Sequence, residues 1–156
     1  MADGIIVRKG EGKNVKLGPD DWLFRLTGEE TGGRFDYMEA TVSYLQGAPL
    51  HLHHEMDDTI IVIEGTLKVL MNDEMTDLHP GDLMCAPKGV PHAFANVEKE
   101  PCRIINIMTP GNFHPALEDF ATLPRGAYDP KLRQEIDKKH RSEFVGPGIP
   151  ERLGLV

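Results

Sequence analysis

Four residues in the middle of this chain, His51, His53, Asp58 and His92, have the types and spacing to ligate a divalent metal ion. The segment "PLHLHHEMDDTIIVIEG", Pro49 to Gly65, sets histidines and acids directly before a β-branched apolar run. Alternate side chains of a strand share a face, so His51 and His53 point one way and His54 the other. A turn through "HEMD" returns the chain into "TIIVIEG", with Asp58 at the strand start and aimed at the point the two imidazoles face. Further on, "GDLMCAPKGVPHAFAN" supplies His92, again at a strand start, with Phe94 and Asn96 on its face. Imidazoles and a carboxylate around one point are transition-metal ligands. Asp57 is the neighbouring alternative to Asp58, but its parity and its distance to Gly65 fit less well.

The other histidines read differently. His54 is outward, His79 beside Pro80-Gly81 is a surface turn residue, and His140 lies on an apolar helix stripe as a packing residue. His114, in "GNFHP", is expected to be structural, with reach to a cavity mouth as its alternative role. Ile60 and Val62 share the face of Asp58 and are expected to line a cavity below the metal, and Phe94 either joins them or packs in the core. On "RFDYMEATVSYL" the inward set is either Met38, Ala40, Val42 and Tyr44 or the residues between them.

These positions require a β framework. Glycine and proline punctuate the first two-thirds of the chain, and "WLFRL", "RFDYMEATVSYL", "TIIVIEGTLKVLM", "GDLMCAP", "HAFANV" and "CRIINIMTP" between them read as strands. Asn72-Asp73 makes a hairpin turn, and "HPGDL" and "PKGVPH" make two more. Many short strands with turns every 8–12 residues give an all-β sandwich or barrel. After Pro110 the pattern turns helical: "HPALEDFATL" is a short helix, and "DPKLRQEIDKKHRSEF" a longer one with Asp129 as N-cap. Its stripe is Leu132, Ile136, His140 and Phe144, and Glu135 can pair with Lys139 on another face. The remainder, "VGPGIPERLGLV", has no helical pattern.

Composition bounds the rest. With 156 residues, 40% of them hydrophobic, the chain suits one compact domain: a barrel core over about 15–110 and a helical cap or tail over about 111–156. A net charge of -8 without a basic run argues against nucleic acid or a membrane surface as partner. No apolar stretch or signal-like N-terminus is present, so the expected location is the cytoplasm. Cys85 and Cys102 form no CxxC pair and are expected to be small buried hydrophobes.

The two segments resemble the paired motifs of the cupin superfamily. In the first, His51, His53, Asp58 and Gly65 match from His53 onward, while only three residues separate Gly47 from His51, where the family has five. In the second, Gly81, Pro87, Gly89, His92 and Asn96 match throughout. The flanking strands and tail are similar to small single-domain cupins of the quercetin-dioxygenase-like kind. One departure is Asp58, where the family has glutamate. Aspartate is shorter by about 1.5 Å of reach, so it ligates if the strand start moves inward, or binds through a water.

The resemblance implies a jelly-roll barrel of two antiparallel sheets, the double-stranded β-helix, with C-terminal helices and one divalent metal inside one end. Three imidazoles and a carboxylate suit Fe(II), with Ni, Mn, Cu or Zn as alternatives. The implied activity is that of a dioxygenase on a small aromatic or enolic substrate, with Asp58 able to leave the metal and act as a base. The alternatives are a non-oxidative cyclase, isomerase or decarboxylase, and a metal-cavity protein that binds a ligand without chemistry. Cupins are commonly homodimers, and the tail is placed to cross to a partner.

Overall fold

The computed structural model describes residues 3–124 and 129–156. Ten strands run through the first part of the chain: β1 Lys13–Leu17, β2 Asp20–Leu26, β3 Asp36–Val42, β4 Gly47–His53, β5 Asp57–Glu64, β6 Leu67–Met71, β7 Glu74–Leu78, β8 Leu83–Ala86, β9 His92–Ala95 and β10 Cys102–Thr109. Then follow α1 His114–Ala121, α2 Pro130–His140, β11 Ser142–Gly146 and a single turn, α3 Ile149–Arg152. The strands form two antiparallel sheets, ordered β1-β2-β3-β10-β5-β8 and β11-β4-β9-β6-β7. This is the jelly-roll expected from the sequence.

Alternation decides what fills the space between the sheets. Met38, Ala40 and Val42 of β3 point inward, as do Ile60 and Val62 of β5 and Ile104 and Met108 of β10. With Phe24 and Leu67 they make the core, and each fully buried side chain of this size is worth about 1.5–3 kcal/mol. Tyr44 lies beyond the end of β3 and is exposed, unlike the three residues whose parity it shares. Ile60 and Val62 face inward as expected, but they pack into this core and do not reach the cavity wall described below.

Two local conformations depend on residue type. Asn72 and Asp73 both have positive φ, 56° and 62°, the two-residue turn that joins β6 to β7. Gly65, with φ 79°, ends β5, and a Cβ there would stand 2.7 Å from the carbonyl oxygen of Pro101. The apolar run "TIIVIEGTLKVLM" therefore makes two strands in different sheets, not one.

The C-terminal segment differs from its expected form. Asp129 caps α2 by accepting from the backbone N–H groups of Lys131 and Leu132, but the helix ends at His140, where Arg141 turns left-handed with φ 57°. Phe144 is therefore not on the helix stripe. It belongs to β11, which pairs antiparallel with β4 and sets Ser142 opposite His53 and Phe144 opposite His51. Lys139 reaches Asp119 of α1 rather than Glu135. The last residues are helical after all: α3 lays Ile149 over Leu70, Ala93 and Ala95 on the outer face of the second sheet. All four residues of β9 are buried for this reason, its outer face by α3 and its inner face by the core. Cys102 is buried, and burial pushes its thiol up to about 11. Cys85 is exposed, contrary to expectation, because β8 is a sheet edge and the residue takes its outer face.

Candidate metal centre

The two sheets meet at the site. His51 and His53 come from β4 and His92 from β9, where His51 and His92 are direct cross-strand neighbours. Asp58 comes from β5 in the opposite sheet. One ligand atom of each of the four lies within 4.8 Å of the others, and all four residues are buried. The short aspartate thus reaches the point the imidazoles face: its Oδ2 stands 3.0 Å from His92 Nε2 and 3.7 Å from His53 Nε2. Gly47 contributes from the start of β4, where a Cβ would run into the carbonyl oxygen of Phe94, so only glycine lets β4 and β9 approach there.

Backbone carbonyls set the tautomers. His51 Nδ1 bonds the Pro49 carbonyl at 2.7 Å, and His92 Nδ1 bonds the Val90 carbonyl at 2.9 Å. A neutral imidazole carries one proton, so both rings keep it on Nδ1 and turn a bare Nε2 to the centre. This is the arrangement outer hydrogen bonds give to metal-binding histidines. Electrostatics agrees with crowded donors. Burial, with the neighbouring His92 and His53, pushes His51 down to about 3. Burial alone would raise Asp58, but the neighbouring imidazoles of His53 and His92 hold it well below the usual carboxylate range. Burial opposes charge on His92, but a protonated ring would donate Nε2–H to the Asp58 carboxylate, and that gain outweighs burial and raises this imidazole.

His53 Nε2 tests whether a cation fits. It is buried with no hydrogen-bond partner, since 3.7 Å to Asp58 is too far for one. A buried orphan nitrogen costs about 1–3 kcal/mol unless something occupies its lone pair. With two further Nε2 atoms and a carboxylate beside it, a divalent ion satisfies that lone pair, and the residues present fit one.

Asn106 escaped the sequence reading. It sits on the inward face of β10, and its Nδ2 donates to Asp58 Oδ1 at 2.6 Å and to the Thr59 carbonyl at 2.9 Å. A signal was present: in "CRIINIMT" one amide interrupts an apolar strand with the parity of Ile104 and Met108, and a buried amide needs partners. Asn106 holds one oxygen of Asp58 and leaves the other for the imidazoles. Asn106→Ala is expected to weaken metal binding about 10–100-fold, the usual effect of losing such a supporting bond. Competition against a chromophoric chelator would measure it, and an unchanged affinity would remove Asn106 from the site.

The remaining candidates lie elsewhere. Asp57 turns away and accepts from the Lys88 backbone N–H. His54 is exposed beside Glu143, and His79 is exposed beside Asp82. His114 stacks edge-on against Phe24, and His140 bonds Asp119. Asn96 is buried, but it ties Val42 and Glu100 together by their carbonyls and serves the fold.

A cavity of about 230 Å³ opens over the cluster. His51, His53, Asp58 and Asn106 form one end, and Trp22, Phe94, Phe113 and Phe120 supply aromatic walls. Phe113 stands edge-on to His53 at 5.6 Å between ring centroids.

Residues 40–108 match the family described as Cupin domain. The matched span, under half of the chain, is similar to a cupin domain. The matched span holds all four clustered residues and Asn106. The chain is 26% identical over 107 residues to quercetin 2,3-dioxygenase of Bacillus subtilis (strain 168). That match takes in 69% of this chain and 32% of the relative, so the matched part spans about a third of the relative's length. Among solved structures, a predicted oxalate decarboxylase from Thermotoga maritima superposes with a TM-score of 0.63 at 14% identity, covering 68% of this chain and 99% of that one. The polyketide cyclase RemF from Streptomyces resistomycificus gives 0.59 at 22% identity, covering 69% and 80%. These two likenesses concern the cupin fold. Among the described residues, no helix is long and apolar enough to cross a membrane.

Proposed function

We propose that this cupin binds one divalent transition metal on His51, His53, Asp58 and His92, and acts as a dioxygenase on a small aromatic or enolic substrate. The observation that carries the reading is the partnerless buried Nε2 of His53, set among two further imidazoles and a carboxylate at the end of an apolar cavity. Three neutral imidazoles with one carboxylate suit Fe(II), Ni, Mn, Cu or Zn alike, and the dioxygenase reading is what puts Fe(II) first. When bound, such an ion supplies Lewis acidity toward an enolic oxygen and, for the redox-active metals, access to dioxygen chemistry.

The protein's own groups do the rest. Trp22, Phe94, Phe113 and Phe120 seat a planar apolar substrate and keep water out. The Pro49 and Val90 carbonyls hold their imidazoles in the binding tautomer. Asp58 is the carboxylate among the described residues lining this cavity, and it can take a proton from the substrate hydroxyl.

Oxygen uptake by iron- or nickel-loaded protein, with a panel of flavonols and diketones, is the test. Uptake that depends on substrate supports the reading, and no uptake with any metal sinks it. Turnover that persists without oxygen would instead indicate a non-oxidative cyclase, isomerase or decarboxylase. Tight binding with the ligand recovered unchanged would indicate a binding protein.

A further inference from the structure

We infer that Arg133 is an anion-recognition residue of the same cavity, and that the substrate is a compact aromatic carboxylate whose acid group lies against Arg133. The inference rests on the reading of this cavity as a substrate site. Arg133 comes from α2, outside the span that carries the clustered residues, yet it lines the cavity together with Phe120. Its guanidinium is held in one place. The Cζ lies 4.7 Å from the Phe120 ring centroid and 5.5 Å from that of Phe144, and Nε donates to Asp137 Oδ2 at 3.0 Å.

Among the described residues, that is the one hydrogen bond the guanidinium donates. Asp137 spends its other capacity on Ser142 Oγ and the Phe144 backbone N–H. A guanidinium has five N–H donors in a planar fork, and anchoring it through Nε leaves its two terminal amino groups to grip a carboxylate side by side. A cavity lined by aromatic rings, an arginine and the histidine cluster suits a flat apolar molecule that carries an acid group. The cavity volume of about 230 Å³ falls below the roughly 300–1,000 Å³ of sites for drug-sized ligands, which favours one or two rings.

Trp22 gives a direct readout, because it is the only tryptophan of the chain and it lines this cavity. Benzoate and phenylacetate would be titrated against their neutral amides by Trp22 fluorescence, on full-length protein as purified and after chelation. The wild type is expected to prefer each acid over its amide by about tenfold or more, the usual advantage of a charge-assisted pair. Arg133→Gln is expected to abolish that preference while changing amide affinity less than about twofold, and Arg133→Lys to keep part of it. A side chain that merely ties α2 to β11 would lower affinity for acid and amide together. That outcome, or a wild type without preference, overturns the inference, and the wild-type comparison stands even if Arg133→Gln fails to fold. Metal content of the same samples separates this inference from the previous one. A metal-free protein that still prefers the acid overturns the metal reading alone, and a metal-loaded protein without preference, before and after chelation, overturns this one alone.

Discussion

Asp58→Ala, purified without chelator, is expected to emerge with little metal where the wild type carries a stoichiometric ion. Asp58 supplies the only formal negative charge among the four clustered side chains. It is held ionised by its imidazole neighbours and oriented by Asn106. Losing a supporting residue costs about 10–100-fold in metal affinity, and losing a ligand with its charge is expected to exceed about 100-fold. Asp58→Asn separates charge from shape, because the amide preserves the packing but not the anion. If Asp58→Ala retained full occupancy by elemental analysis, the carboxylate would not be a ligand and the centre would reduce to three imidazoles. The alanine variant also leaves the Asn106 amide short of an acceptor, so it is expected to lose about 1–3 kcal/mol even when both proteins are compared metal-free.

The largest loss of stability is expected at Asp36. This fully buried carboxylate at the start of β3 accepts three backbone N–H bonds: Gly28 at 2.7 Å, Asn112 at 2.8 Å and Phe113 at 2.7 Å. It thereby joins the loop after β2 to the segment that follows β10. Asp36→Ala strands one buried donor, at about 1–3 kcal/mol, and two part-buried donors that cost less each, and a total of about 3 kcal/mol is a large share of a typical domain's stability. Denaturant unfolding should show a lower midpoint with an unchanged slope. A shift below about 1 kcal/mol would mean that water or a backbone adjustment replaces the carboxylate. Because Phe113 lines the cavity and packs against His53, the variant is also expected to loosen ligand binding in whatever fraction remains folded.

Much of the site was legible in the sequence because period-two alternation is a strict rule. It separated His51 and His53 from His54, and Asp58 from Asp57, on grounds that need no tertiary information. Proline and glycine likewise marked where strands stop. What escaped depends on partners distant in the chain. "SEFVG" is too short and too polar to announce a strand, and it is one because β4 offers an edge about 90 residues earlier. The four-residue stripe led from Leu132 across the true helix end to Phe144, since spacing alone does not reveal a left-handed Arg141. Cys85 followed the habit of cysteine to be buried until the sheet order put β8 at an edge. Arg133 and Asp36 were silent for the same reason: their roles are set by what folds against them.

The pairing of β11 with β4 has a consequence for how the protein is made. During synthesis the strand bearing His51 and His53 leaves the ribosome long before Ser142–Gly146, so one flank of that strand has its backbone groups unclaimed while the rest of the barrel can already condense. A nascent chain halted in that interval would offer an open β edge to any passing extended segment. The histidine strand is sealed only when Ser142–Gly146 arrive, so that flank closes after all ten earlier strands have been made.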